Sequence, residues 1–269
     1  MMRSIWRSVT TASTLMTAMA LDTSMMGAAL IVGPAFASWL SLSLSPLLPY
    51  AAITAMTVVA VATTVTTTSV VLPTSTAPKS WLGPLSSSPL RRLLAADAIF
   101  VMAVTAMDVV LPIHARQEGA GELTGLYVGS LAAGSVIGSF ALVTAARRLP
   151  RGLVLPLLLG LFTLGCGALA VAARLSPVVV LTVCPVAGLV TGSLFTVLRT
   201  AGGDLAPARQ ATETMSWLST FDTVGGAAGA AMFASLAETT GGSTALALIP
   251  GLSVIAALAS WRVQGLRQG

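Results

Sequence analysis

The sequence predicts an all-α polytopic membrane protein of about eight transmembrane helices, and three observations carry that reading. Apolar residues make up 55% of the 269-residue chain and charged residues only 9%, with a mean hydropathy of +0.90. A soluble domain carries about 25% charged residues because its surface faces water. The apolar residues also come in long continuous runs, close to the roughly 20 residues a helix needs to cross about 30 Å of hydrocarbon. None alternates as a barrel strand would, and open sheets or loops cannot cross lipid with unsatisfied backbone groups. Finally, the basic residues are confined to short breaks between the runs.

Taken in order, the spans are 24–44, 47–70, 93–113, 123–146, 152–173, 178–198, 212–236 and 244–261. Residues 1–23 form a cytoplasmic or interfacial lead-in. Arg3 and Arg7 ahead of Ala18-Met19-Ala20 imitate a signal peptide, but the Ser- and Thr-rich stretch between them makes a poor apolar core. A minimal turn at Ser45–Pro46 separates the first two spans. The polar, proline-bearing segment 71–92 is the longest break in the chain and reads as a linker.

Orientation follows from Lys and Arg, which are enriched in cytoplasmic loops. Alternating the loops puts Arg3, Arg7, Lys79, Arg91, Arg92, Arg147, Arg148, Arg151, Arg199, Arg209, Arg262 and Arg267 on one side, against Arg116 and Arg174 on the other. Both termini are therefore expected in the cytoplasm, in a cell (inner or plasma) membrane. The same placement explains the net charge of +5 without nucleic acid.

The charges that enter the spans matter most. An Asp at a helix centre costs about 2.5–3.5 kcal/mol on insertion scales, so such a residue faces a cavity or a partner. Asp97 and Asp108 lie eleven residues apart in the third span, about three turns, and share a face. Arg91 and Arg92 are placed to neutralise Asp97. Asp222 falls near the middle of the seventh span with no obvious basic partner. Asp222 and Asp108 are the candidates for proton coupling or cation binding; the competing reading makes them polar glue between helices. Asp204, Glu213, Arg199 and Arg209 read as a loop charge cluster.

Glycines four residues apart, Gly134–Gly138, Gly188–Gly192 and Gly225–Gly229, allow close helix approach. Pro34, Pro156, Pro185 and Pro250 fall inside spans, where neighbouring helices satisfy the carbonyls they free. The fifth and eighth spans carry no charge and are expected to face lipid; the third, fourth, sixth and seventh are expected to line the interior. Enzyme constellations are absent: there is no GxSxG, HExxH, CxxC or phosphate loop, and Cys166 and Cys184 lie in apolar runs. His114, the single histidine, reads as an interfacial residue. No enzyme activity, metal or cofactor is expected.

The stretch from Ala20–Asp22 into Val32-Gly33-Pro34, the basic run Arg147-Arg148-Leu149-Pro150-Arg151 and the segment 211–231 together resemble the major facilitator superfamily, especially its bacterial exporter-like members. Gly33 and Pro34 stand where that family's fifth helix has a Gly-Pro, although Ala29, Ala37 and Ser38 replace its further glycines. Arg147, Arg148 and Arg151 stand where its C-terminal half has a basic tight loop, without the aspartate of the fuller motif. Segment 211–231 looks like its eleventh, cavity-lining helix. The resemblance implies that 24–70 holds the last two helices of the N-terminal half, 71–92 the cytoplasmic linker and 93–269 a complete C-terminal six-helix half. The family's first four helices have no counterpart here, so a missing N-terminal segment or a dimer partner would complete the carrier.

The function implied is secondary active transport, as proton-coupled export of a small organic solute. Solute, proton and lipid bilayer are then the partners. Asp222 with Asp108 would cycle between protonated and charged states, and the glycines with Gly33 and Pro34 would serve packing and gating. A non-transporting membrane scaffold, or an inactive remnant of such a carrier, is the alternative. A permease subunit of an ATP-driven transporter would want a longer cytoplasmic coupling loop.

Overall fold

The computed structural model describes residues 47–67, 83–146, 151–206 and 210–264. The chain divides into two units, Met1–Pro78 and Lys79–Gly269. One helix of the first unit is described, α1 (Leu48–Thr67). Thr54, Thr57, Thr63 and Thr66 donate their hydroxyls to carbonyls one turn back, which satisfies them locally within an apolar helix. The expected span 24–44, with Gly33 and Pro34, lies outside the described residues.

The second unit is a bundle of α2 (Ser88–Gln117), α3 (Thr124–Ala146), α4 (Arg151–Ala172), α5 (Pro177–Leu205), α6 (Ala211–Thr240) and α7 (Gly242–Gln264). Short 3-10 turns at Gly83–Ser86 and Gly121–Leu123 lead into α2 and α3, and no strand occurs among the described residues. Among the described residues, four segments are long and apolar enough to cross a membrane: Ser88–Gln117, Leu153–Ala172, Pro177–Leu205 and Gly242–Ser260.

Several helices overrun the apolar runs that announce them. α2 starts at Ser88 instead of Leu93, α5 continues to Leu205 beyond Leu198, and α6 ends at Thr240 beyond Leu236. Hydropathy marks where side chains leave lipid, whereas a helix stops where its backbone hydrogen bonds stop. The stops are local. Proline follows the N-cap residue in α2 (Ser87, then Pro89 in the first turn) and in α5 (Ser176, then Pro177), a position where the missing N–H costs nothing. The Ser176 hydroxyl accepts from the Val179 N–H. α6 ends at Gly241, whose φ of 92° is open to glycine at little cost.

Extensive packing joins α2 to α6 and α7, α5 to α3 and α4, and α4 to α7. Exchanging α2 with α5, α3 with α6 and α4 with α7 maps each of these contacts onto another, and α4–α7 onto itself. The bundle is thus two three-helix repeats, and because each repeat has an odd number of alternating helices, the second is inverted relative to the first. Outward apolar faces remain on α4 (Leu153, Leu157, Leu164) and α7 (Val254, Ile255, Leu258).

Two glycine seams hold the parallel pairs. On α3, methyl groups at Gly134 and Gly138 would overlap the carbonyls of Pro185 and Leu189 on α5; reciprocally, Gly188 and Gly192 meet the carbonyls of Leu131 and Ser135. The Ser193 hydroxyl donates to the Gly138 carbonyl at 2.7 Å across the seam. On α6, Gly225 and Gly229 rest against the carbonyls of Ala98 and Met102 on α2. This second seam has glycine on one helix only. Prolines 112, 156, 185 and 250 all lie inside helices.

The opposite end of the bundle is tied by polar clasps. The Tyr127 hydroxyl donates to the Pro177 carbonyl at 2.8 Å, joining the starts of α3 and α5. Gln117 donates to the Ala237 carbonyl at 3.0 Å and accepts from the Gly242 N–H at 2.7 Å, fixing the α6–α7 turn to the end of α2. A Gln117→Leu variant should lose both bonds, each worth about 0.5–1.5 kcal/mol net. Protease cleavage at the α6–α7 turn is expected to accelerate several-fold, with no change elsewhere in the chain. His114 sits under this clasp at 1% exposure, and its Nε2 has no partner among the described residues. In the last turn of α2 it is covered by protein, since Gly242 closes directly over its Cβ.

Candidate functional site

At the end where α2 and α6 begin and α5 finishes, three helices bring their charges together. Arg199 lies six residues from the end of α5 and Asp222 is the twelfth residue of α6. At 1.5 Å per residue both sit within the helices, about 9 Å and 16 Å from those ends. The Arg199 Nη2 donates to Asp222 Oδ2, an ion pair whose side chains are 29% and 20% exposed. Asp222 Oδ1 has no hydrogen-bond partner among the described residues. Asp222 therefore does have a basic partner within the helices. It was missed because hydropathy falls at Leu198 and put Arg199 in a loop, while nothing in 199–205 breaks a helix before Pro207.

Asp97 of α2 joins them. It is fully buried, and neither carboxylate oxygen has a hydrogen-bond partner among the described residues. The Arg199 guanidinium is the cation that acts on it electrostatically. The expected neutralisation by Arg91 is not formed, since Arg91 turns back to the Leu85 carbonyl at 3.3 Å. The helix register explains the meeting. Phe100 of α2 packs edge-on to Phe195 of α5, ring centroids 5.0 Å apart. Asp97 and Arg199 each lie one turn from that contact, toward the same end of these two antiparallel helices. Gly225 on Ala98 brings Asp222, one turn earlier in α6, to the same level.

Aromatic rings frame the charges. Phe100 also meets Phe162 of α4 at 5.1 Å, so three rings close the site on its inner side. Trp217 and Phe221, ring centroids 6.3 Å apart, precede Asp222 on α6. Aromatic walls exclude water and strengthen the electrostatics they enclose. Nearer the helix ends, the Glu213 carboxylate lies against Gly83, the positive-φ residue that opens the short turn before α2.

Asp108 stands apart. It continues the stripe Asp97, Val101, Val104 along α2, with relative exposures of 0%, 8% and 8% before Asp108 itself becomes exposed. The two acids share a face as their spacing requires, but that face is covered at one end and open at the other. With Gly225 level with Ala98, Asp108 lies about 20 Å along the axis from Asp222. The two acids expected to work together do not form one site; Asp97 takes the place expected of Asp108.

Of the remaining candidates, Gly134, Gly138, Gly188, Gly192, Gly225 and Gly229 occupy the two seams. Arg147 and Arg148 lie outside the described residues, and Arg151 begins α4 with its side chain outside them. Among the described residues no cluster of His, Cys, Asp or Glu could hold a metal ion. Cys166 instead packs between Met107 and Ser253, both at 3.7 Å, and joins α4 to α2 and α7.

A family model described as Major Facilitator Superfamily matches residues 1–230. No curated protein and no solved structure matches the chain.

Proposed function

The chain belongs to the major facilitator superfamily, a family of membrane transporters, and from that premise we propose that it is a proton-coupled exporter of a small organic solute. The observation that carries the reading is the Arg199–Asp222 ion pair, set well inside two helices of the membrane-embedded bundle. An intramembrane ion pair is costly and is retained where a pathway needs it. Its two side chains are part exposed and Asp222 Oδ1 has no hydrogen-bond partner among the described residues, so a proton arriving at Asp222 can release Arg199. Breaking and remaking such a pair supplies two states that a proton biases, which is what coupling requires.

In this reading 93–269 forms one half of a carrier and 24–70 contributes the last two helices of the other, joined by 71–92. The inverted three-helix repeats suit a bundle that rocks around a site near the membrane midplane. The basic loops, Arg147, Arg148 and Arg151 among them, face the cytoplasm together with both termini of a cell-membrane protein. Asp108, on the open part of the α2 stripe, is an entry group for cations and not the partner of Asp222.

Reconstitution into liposomes tests this. A panel of radiolabelled probes, comprising tetraphenylphosphonium, a sugar, an amino acid and a carboxylic acid, is offered under an imposed pH gradient. At least one is expected to move against its own gradient and to stop when nigericin collapses the pH difference. Movement that continues after the collapse contradicts proton coupling, and movement of none contradicts the transport reading.

A further inference from the structure

Asp97 is the most completely buried charge-bearing group described, and the pairing with Arg91 first expected of it is not formed, while Arg92, half-buried on α2, is itself engaged. Two carboxylates and one guanidinium leave one negative charge over, and the fully buried carboxyl, Asp97, is the one without an ion-pair partner among the described residues. Leaving such a charge uncompensated in a low-dielectric interior costs several kcal/mol. One proton removes it. In the described arrangement Arg199 is committed to Asp222, while neither Asp97 oxygen accepts a hydrogen bond.

We propose that Asp97 is a second proton-binding residue of this carrier, and that Arg199 is exchanged between Asp222 and Asp97 as one carboxyl takes up a proton and the other gives one up. In the state described, Asp97 holds the proton and Arg199 neutralises Asp222. When a proton binds Asp222, Arg199 is released, turns to Asp97 and displaces the proton held there. One proton enters and one leaves, the pocket stays neutral throughout, and no unpaired charge is buried. The groups around Asp97 fit this scheme. α5 brings Arg199, α6 brings Asp222 behind it, and Glu213 of α6 is engaged at Gly83. Asp204 is exposed on the last turn of α5. His114, Glu118, Glu122 and Tyr127 stand at the other end of the bundle, and the Gly83–Ser86 turn carries no charge. Arg91 is turned to Leu85.

The role in transport rests on the proton-coupled reading above, but proton exchange within the pocket can be read without transport. Infrared spectra of the purified full chain in lipid nanodiscs at neutral pH report protonated carboxyls through their C=O stretch. Asp97→Asn is expected to abolish one such component present in the wild type. Asp222→Asn is expected to abolish the same component, because Arg199 then pairs with Asp97 and ionises it. Arg199→Gln is expected to double it, because both acids then carry protons. A spectrum unchanged in Asp97→Asn overturns the assignment of the proton, and a component that survives in Asp222→Asn overturns the exchange. If Asp97→Asn does not fold, the Asp222→Asn and Arg199→Gln spectra decide the question alone. Should these bands behave as stated while pH-gradient-driven movement is absent, the transport reading fails and the proton exchange stands.

Discussion

Replacing Gly138 with leucine is expected to break the bundle at the α3–α5 seam. A single Cβ at this position would already overlap the Leu189 carbonyl. The obstacle is backbone inside a helix, so no side chain can turn aside to make room. Overpacking a tight core costs about 1–3 kcal/mol and occasionally more, and leucine adds three carbons beyond the Cβ. Prising the helices apart also breaks the Ser193–Gly138 hydrogen bond, worth roughly 0.6–1.7 kcal/mol between membrane helices. A loss of about 3 kcal/mol or more follows. It should appear as a lower unfolding midpoint in a denaturing detergent titration and as aggregation on size exclusion. Gly160→Leu on α4 is the matched control: nothing lies within 4 Å of its Cβ position, and its midpoint should stay within about 0.5 kcal/mol of wild type. Equal midpoints for the two variants would mean that the seam does not hold the bundle together.

The membrane class and the helices from Leu47 onward were legible because lipid leaves the backbone one economical way to cross, and that requirement writes itself into long apolar runs. The glycine pairs were legible as close-packing positions, but not which helix each one meets. Gly134 could have faced any neighbour, and only the inverted pairing of the repeats selects α5. Arg199 and Asp97 were misread for one shared reason. A hydropathy boundary stops at the first charge, so Arg199 was put in a loop and Asp97 close to the start of a span, whereas α5 continues to Leu205 and α2 already begins at Ser88. The absence of a proline before Pro207 was the signal available, with Gly202 and Gly203 weakening it. The meeting of Asp97 with Arg199 depends on the Phe100–Phe195 register between helices far apart in the chain, which no local pattern encodes. Asp108 shows the converse case: its spacing from Asp97 correctly predicted a common face, while the covering of that face changes along the helix.

Asp222→Asn is expected to abolish pH-gradient-driven transport while the protein still inserts and folds. Asparagine keeps the shape and leaves Arg199 free to turn to Asp97, so the fold loses only the ionic part of a pair that is 20–29% exposed. A pair so exposed is screened by solvent, and its loss should cost far less than the roughly 3–5 kcal/mol of breaking a fully buried one. What asparagine cannot do is take up and release a proton. With Arg199 no longer tied to the proton at this position, the gradient has nothing to act on, and solute should only equilibrate downhill. Asp222→Glu, which keeps the ionisable group on a longer stem, should retain part of the driven flux.

The decisive measurement is therefore the accumulation ratio, in liposomes under a fixed pH gradient, of whichever probe the wild-type protein moves, compared between wild type and Asp222→Asn at equal amounts of folded protein. Arg199–Asp222 coupling predicts a ratio well above one for wild type and a ratio of one, reached by downhill movement, for the variant. Accumulation by Asp222→Asn at the wild-type ratio would contradict it.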